Sequence, residues 1–380
     1  MKITKFFALL CATAAFAAGC ETTTNEEPKP EPVPTPEPTP GATLEIKANK
    51  ERITIGDEVA FTVTMDGVDV TAAETLEIYE TKNYTVVSNP YQPTELGKHE
   101  FYAMYGSLVT EKHAVVEVMP VMENIPEDPQ PENTTFNHRI LLIDHTGSGC
   151  GYCPLMMTAL RQLSEDANYS TKYNEVTAHY GSLATYDNAK SDAATIVGGN
   201  IAAAVPGFPA LTYNFLEQTV SGYNINAIKK EVDKLWNKDG AEAGITAVAT
   251  LGANTVTVNY EVKSAKEQEY RVSVWLLESD IYSKQSGASA DWQHYAQHAI
   301  RNITGYVGPN DLSGDSIGTI AVGERAQGSA DLAIISSSWV PENMDVLVIV
   351  SAPSEKFNGK FEVVNTALCP VGGTVEYEYL

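Results

Sequence analysis

The stretch that most limits what this chain can become is Arg139–Thr158, RILLIDHTGSGCGYCPLMMT. An apolar run, Ile140–Ile143, leads into a short glycine-bearing turn. Cys150-Gly151-Tyr152-Cys153 then opens a segment with helical character, Leu155–Leu163. Such a run reads as a buried strand, and the pattern is strand, tight turn, helix. It places two thiols, two residues apart, where a helix begins. The N-terminus of a helix carries partial positive charge and free N–H groups, so it stabilises a thiolate, the form that attacks disulfides.

The chain starts as an export signal. Lys2 and Lys5 form the charged start, Phe6–Phe16 the apolar core, and Ala17-Ala18-Gly19 the small-residue exit before Cys20. The apolar run is too short to remain as a membrane span. Cys20 after Ala-Gly resembles a bacterial lipoprotein lipobox, although Ala17 stands where Leu is usual. The resemblance implies cleavage before Cys20 and acylation of its thiol. Pro28–Pro40 then has proline at every second residue. That pattern extends as polyproline II, a semi-rigid spacer of roughly 40 Å at about 3.1 Å per residue.

Charge restricts partners. The formal net charge is −24 and becomes −26 once the signal, with its two lysines, is removed. So acidic a surface repels phosphate backbones, which argues against nucleic acid, and it does not adsorb to anionic lipid. The expected membrane link is the acyl chain on Cys20. Glu21, Glu26 and Glu27 resemble the surface-export signal of lipoproteins from some Gram-negative gut bacteria. The expected location is therefore the outer membrane, lipid-anchored and at the cell surface, with the periplasmic face as the other option.

Cysteine use is sparse. Of five cysteines, Cys11 leaves with the signal and Cys20 carries lipid, so Cys150, Cys153 and Cys369 remain. Three thiols cannot staple a scaffold outside the cytoplasm, and the folded parts must rely on apolar cores. Leu44–Met119 alternates in short strands with turns at Gly56-Asp57, Asp66-Gly67 and Asn89-Pro90. That spacing predicts an immunoglobulin-like sandwich. Residues 120–138 read as a linker. Residues 139–240 read as β-α-β-α-β-α, a mixed α/β unit. Residues 241–380 read as a second β-sandwich, with a long irregular excursion over 279–315. The predicted division is thus 1–19 signal, 20–43 tether, 44–119, 120–138, 139–240 and 241–380.

Asp144 ends the first strand of the α/β unit, and a carboxyl buried there has a raised pKa and can take a proton near neutral pH. Downstream, Gly207-Phe208-Pro209-Ala210-Leu211 precedes another apolar strand. Ile140–Pro154 and Gly207–Leu211 resemble the two signature segments of the thioredoxin fold. The resemblance implies Cys150 as nucleophile, Cys153 as resolving thiol, Asp144 as buried proton acceptor and Pro209 as a cis-proline facing the thiols. Phe208, Pro209 and the inner-loop Tyr152 become the expected substrate contacts. Gly149 departs from the Trp usual before the first Cys, and Gly151-Tyr152 from the usual Gly-Pro. A wider resemblance covers LLIDHTGSGCGYCP, GFPAL, Trp292–Gly305 and Cys369–Tyr379. These look like the outer-membrane-protein-28-related lipoproteins, whose members often carry Glu where this chain has Asp144. Together these readings predict a multidomain α+β chain: an immunoglobulin-like sandwich, a central thioredoxin-like α/β domain and a C-terminal β-sandwich.

Two functions follow as expectations. One is thiol–disulfide exchange with extracytoplasmic protein thiols and disulfides, needing a redox partner but no cofactor and no metal. The other is a non-enzymatic binding or adhesion lipoprotein in which Cys150–Cys153 is a structural disulfide. His145 reads as a turn residue rather than a base, and Cys369 as a buried apolar thiol. His294 and His298 lack the Glu of a zinc-protease motif. Asn310–Asp315 lacks the ligand pattern of a calcium loop. Arg301 is expected to pair with an acidic neighbour.

Overall fold

The computed structural model describes residues 36–39, 41–201, 205–219 and 223–380. The signal, Cys20 and most of the proline-rich tether lie outside these. The compact unit begins at Pro38 and runs to Leu380.

Residues 44–119 form two sheets. Leu44–Ala48 pairs with Phe61–Met65 in one, and Gly97–Tyr105 is central to the other. Strict alternation drives this: Phe61, Val63 and Met65 point inward while Thr62 is exposed. Leu44, Phe61 and Val63 of the first sheet share a core with Ile78, Phe101 and Val116 of the second.

Among the described residues, nine later strands form one sheet, numbered here in chain order. They are β1 (Ile140–Thr146), β2 (Tyr173–His179), β3 (Ala210–Tyr213), β4 (Glu217–Thr219), β5 (Gln268–Glu278), β6 (Ala299–Ile303), β7 (Asp315–Ile320), β8 (Met344–Pro353) and β9 (Phe361–Pro370). The order is β4-β3-β1-β2-β6-β5-β8-β9, and β7 also pairs with β5. β1 runs parallel to β2 and antiparallel to β3. All seven residues of β1 are buried because both faces of the sheet are covered there, which is why it reads as a continuous apolar run.

Three α-helices flank this sheet among the described residues: α1 (Cys153–Ser164), α2 (Asp192–Asn200) and α3 (Ile225–Leu235). Pro154 is tolerated in the first turn of α1, where no intrahelical N–H is needed. Met156, Ala159, Leu160 and Leu163 recur at helical spacing and bury one face of α1 against Ile140, Leu142 and Leu211. Ser191 caps α2 by accepting from the Ala194 N–H at 2.9 Å, and Asn224 caps α3 through Asn226 and Ala227.

The expected multidomain α+β arrangement, with a central thioredoxin-like α/β domain, is overturned by this topology. The chain is mostly β, and β1–β4 are one end of a sheet that continues into the C-terminal strands. The junction is β6, which inserts between β2 and β5 and meets β2 at Thr177↔Ala299. Side chains continue across it. Leu141, Ile143 and Val176 share one core with Trp275, Leu277, Ile300, Leu347 and Ile349. Alternation and helical spacing report which faces are apolar, not which strand becomes the neighbour, so the division into separate layers was not readable from them.

Beyond the junction a four-stranded sheet, with Ala243–Leu251 and Thr255–Ser264 at its centre, packs on β5 and β8. Residues 120–138 are held down within this part. Asp128 lies on Lys263 and Arg325, and Phe136 is fully buried beside Tyr377 and Tyr379. Arg301 of β6 pairs with Glu278 at 2.7 Å, both almost wholly buried, and its second arm donates to the Asn188 carbonyl.

Candidate functional site

Cys150 and Cys153 form a disulfide, with Cα atoms 5.4 Å apart, at the start of α1. The turn that presents them is fixed from three sides. The Gly149 N–H donates to the Leu183 carbonyl at 2.8 Å, and a Cβ on Gly149 would meet that same oxygen at 2.8 Å. The Ser148 N–H donates to Asp187 at 2.7 Å. The Cys153 N–H donates to Cys150 Sγ at 3.1 Å, the first-turn contact expected of a helix N-terminus facing sulfur.

Asp187 organises this turn. It accepts from His179, Ser148, Ser283 and the Ala189 N–H. Burial alone would raise its pKa, but the His179 hydrogen bond and charge, with the backbone donors of Ala189 and Ser148, hold it well below the usual carboxylate range.

A segment from the C-terminal half covers the pair. Gln285 Nε2 donates to the Cys150 carbonyl at 2.8 Å, and the Ser286 N–H to the Ser148 carbonyl at 2.7 Å. Gln293 Nε2 reaches the Pro154 carbonyl at 2.9 Å. Gly287 has φ +73, and a Cβ there would come within 2.2 Å of the Gly151 carbonyl oxygen. Consequently Cys150 is only 3% exposed and Cys153 is fully buried, while Tyr152 between them is 68% exposed. Gln285, Ser286, Gly287 and Gln293 carried no local sequence signal. They lie more than 130 residues after the cysteines, inside the stretch read as irregular.

Gly287→Ala should force this cover off the turn. The expected result is at least a tenfold faster reduction of Cys150–Cys153 by dithiothreitol, followed by alkylation and mass, with the fold retained. An unchanged rate in a folded variant would show that the cover does not control access.

Asp144 lies in β1, 1% exposed, and its Oδ1 has no hydrogen-bond partner. Burial, with the nearby Glu175 carboxyl adding like charge, raises its pKa well above the ordinary value. Among the described residues no hydrogen bond joins Asp144 to either sulfur. The Phe208–Pro209 peptide bond is cis, and Ala210 beside it pairs with His145. Phe208 packs edge-on against Tyr180 at 4.9 Å, and Tyr180 hydroxyl lies 3.1 Å from His145 Nδ1. His145 is therefore in the strand, not the turn. It is fully buried and its Nε2 lies 2.8 Å from Thr212 Oγ1. Burial lowers its pKa to about 4, so it stays neutral. Cys369 is buried on β9, far in sequence from the pair, with its thiol pushed up to about 11 by burial.

Asp144 and Glu175 line a cavity of about 300 Å3 between α1, β2 and residues 283–298. Sequence reading singled out Asp144 but not Glu175. Glu175 sits at the start of an apolar strand, where an inward carboxyl has no distinguishing local pattern. Its pKa is raised to about 7 by burial.

No family model matches this chain, and no curated protein does. Solved structures show loose similarity. HBP35 of Porphyromonas gingivalis superposes at a TM-score of 0.49 and 18% identity, covering 63% of this chain and 77% of that one. A protein of Agrobacterium tumefaciens does so at 0.39 and 14% identity, covering 64% and 99%. Superpositions this loose assign neither fold nor function.

Proposed function

We propose that this is a lipid-anchored extracytoplasmic protein whose Cys150–Cys153 pair exchanges with protein thiols and disulfides. The carrying observation is the Cys153 N–H donated to Cys150 Sγ in the first turn of α1, which favours Cys150 as thiolate. From the disulfide form, a substrate thiolate attacks Cys150 Sγ. A substrate–Cys150 bond forms, the Cys150–Cys153 bond breaks, and Cys153 leaves as thiolate. A second substrate thiolate then attacks the substrate sulfur and Cys150 leaves. The substrate loses two electrons, the pair gains them, and a separate redox partner must reoxidise it. Reduction of substrates is the reverse. In this reading Asp144 stores the proton, while Tyr152, Phe208 and Pro209 face the substrate.

Anchoring through an acylated Cys20 at the outer-membrane surface, and kinship with the outer-membrane-protein-28-related lipoproteins, belong to the same proposal and rest on sequence. No helix among the described residues is long and apolar enough to cross a membrane.

The test is the reduction potential of the pair in thiol–disulfide buffers. Exchange requires a value above about −300 mV, in the range of roughly −270 to −120 mV that known exchangers span. A value well below about −300 mV would sink it. The second reading, a binding lipoprotein with a locked disulfide, is favoured by the burial of both cysteines beneath residues 285–293. It requires Cys150→Ser/Cys153→Ser to keep partner binding.

A further inference from the structure

We propose that the cavity between α1, β2 and residues 283–298 binds a small aralkylammonium ion, its charged nitrogen held by Asp144 and Glu175 and its apolar body by Met157, Leu160 and Trp292. The cavity, about 300 Å3, is at the small end of ligand sites, which suits one ring and a short arm.

Several polar groups around the cavity are already engaged. Thr177 Oγ1 donates to the Gln297 carbonyl at 2.8 Å. His179 is on Asp187 at 2.7 Å. Gln285 and Gln293 are on backbone carbonyls, and His294 Nδ1 accepts from the Gln285 N–H at 3.1 Å. Two groups are different. Neither the Asp144 nor the Glu175 carboxyl has a hydrogen bond or ion pair among the described residues, and Asp144 Oδ1 is buried outright. A native protein rarely leaves such an atom unpaired without a function for it.

The missing partner is a cation. Among the described residues the one Lys or Arg lining the cavity is Arg161, and it is turned to other partners: it binds Glu165 at 2.8 Å and stacks 4.8 Å from the Trp292 ring. A metal ion is a poor fit, because among the described residues no cluster of three His, Cys, Asp or Glu side chains can hold one. Two carboxyls beside an apolar and aromatic wall instead match an organic ammonium, which brings N–H donors and carbon together.

Protonation is linked to this. Burial raises the pKa of both carboxyls, Glu175 to about 7, and a bound cation favours their ionised forms, so binding is coupled to proton release. The other charged or titratable groups facing the cavity are Arg161 from α1, His179 from β2, and His294, Tyr295 and His298 from the covering segment. Asp345 lies beside His298.

The experiment is calorimetric titration of the oxidised chain with 2-phenylethylamine at pH 6 and pH 8, with 2-phenylethanol as the uncharged comparator. The expected result is binding of the amine, at least tenfold weaker binding of the alcohol, and at least a tenfold gain in amine affinity from pH 6 to pH 8. Asp144→Asn/Glu175→Gln should abolish the preference for the amine. In the unaltered chain, a shift of the Trp292 indole N–H resonance on adding amine locates the site without relying on any variant. No amine binding, equal binding of the alcohol, or an unchanged preference in the double variant would overturn the proposal. Cys150→Ser/Cys153→Ser should bind the amine as the unaltered chain does, so failure of thiol exchange and failure of this site are separable results.

Discussion

Asp128→Ala should lower the unfolding free energy by about 3–5 kcal/mol, the cost of stranding a buried charge. Asp128 is 9% exposed and lies 2.9 Å from the ammonium of Lys263, which is fully buried. Lys263 also donates to the Gln130 and Pro131 carbonyls, and Tyr379 hydroxyl to Asp128 at 2.6 Å. Arg325 joins at 2.8 Å but is partly solvated. Removing the carboxylate leaves the buried Lys263 ammonium with only the neutral Gln130 and Pro131 carbonyls and the Tyr379 hydroxyl. Replacing both partners by apolar groups, Asp128→Leu/Lys263→Met, should recover most of the loss, since a buried pair contributes little net stability while half a pair costs much. Urea unfolding of the two variants measures this. A loss below about 1 kcal/mol for Asp128→Ala would refute it. Burial works to raise the Asp128 pKa, but the Tyr379 and Lys263 hydrogen bonds outweigh it and lower the pKa. The stabilisation is therefore present above the ordinary carboxylate pKa and fades as pH falls through the lowered value.

The opposite sign is expected at the cavity. Glu175→Gln should stabilise the protein by about 3 kcal/mol at pH 8, and Asp144→Asn should shift stability in the same direction. Burial raises Glu175 from 4.5 to about 7, and about 1.4 kcal/mol attends each pKa unit. The folded state thus holds its proton where the unfolded chain has lost it. Stability contributed by the protonated form is full below the unfolded pKa and is lost as pH rises through the folded one. Thermal unfolding at pH 4, where both states are protonated, should show little difference between Glu175→Gln and the unaltered chain. At pH 8 the variant should be clearly the more stable. A variant less stable at pH 8 would show that the Glu175 carboxylate already has a compensating partner. Groups that weaken a fold at neutral pH are commonly kept for function, and the ammonium proposal gives these two one.

What could be read in the sequence followed from local physics. Continuous apolar character marked β1, Pro154 and helical spacing marked α1, and strict alternation marked Phe61–Met65. The two cysteines and Asp144 stood out because their chemistry is unusual where they sit. The covering segment and β6 did not. Ala299–Ile303 carries Arg301 inward, which hides a buried strand behind a charge, and only the pairing with Glu278 explains it. Gln285 and Gln293 act through amide contacts to backbone carbonyls, for which any exposed glutamine would look the same in sequence. Long-range pairing also decided the architecture: β1, β2, β3, β5, β8 and β9 were each anticipated as strands, but β4, β6 and β7 were not, nor was the pairing of β2 with β6.

The junction at β6 has an evolutionary corollary. Because Leu141, Ile143 and Val176 share one core with Trp275, Ile300 and Leu347, neither half can be traded between proteins as a cassette. A graft ending near residue 240 would carry a raw apolar seam. Divergence in this lineage is then confined to paired, compensating changes across that seam, and recombination is expected to succeed only at the boundary near residue 120, where residues 44–119 keep a core of their own.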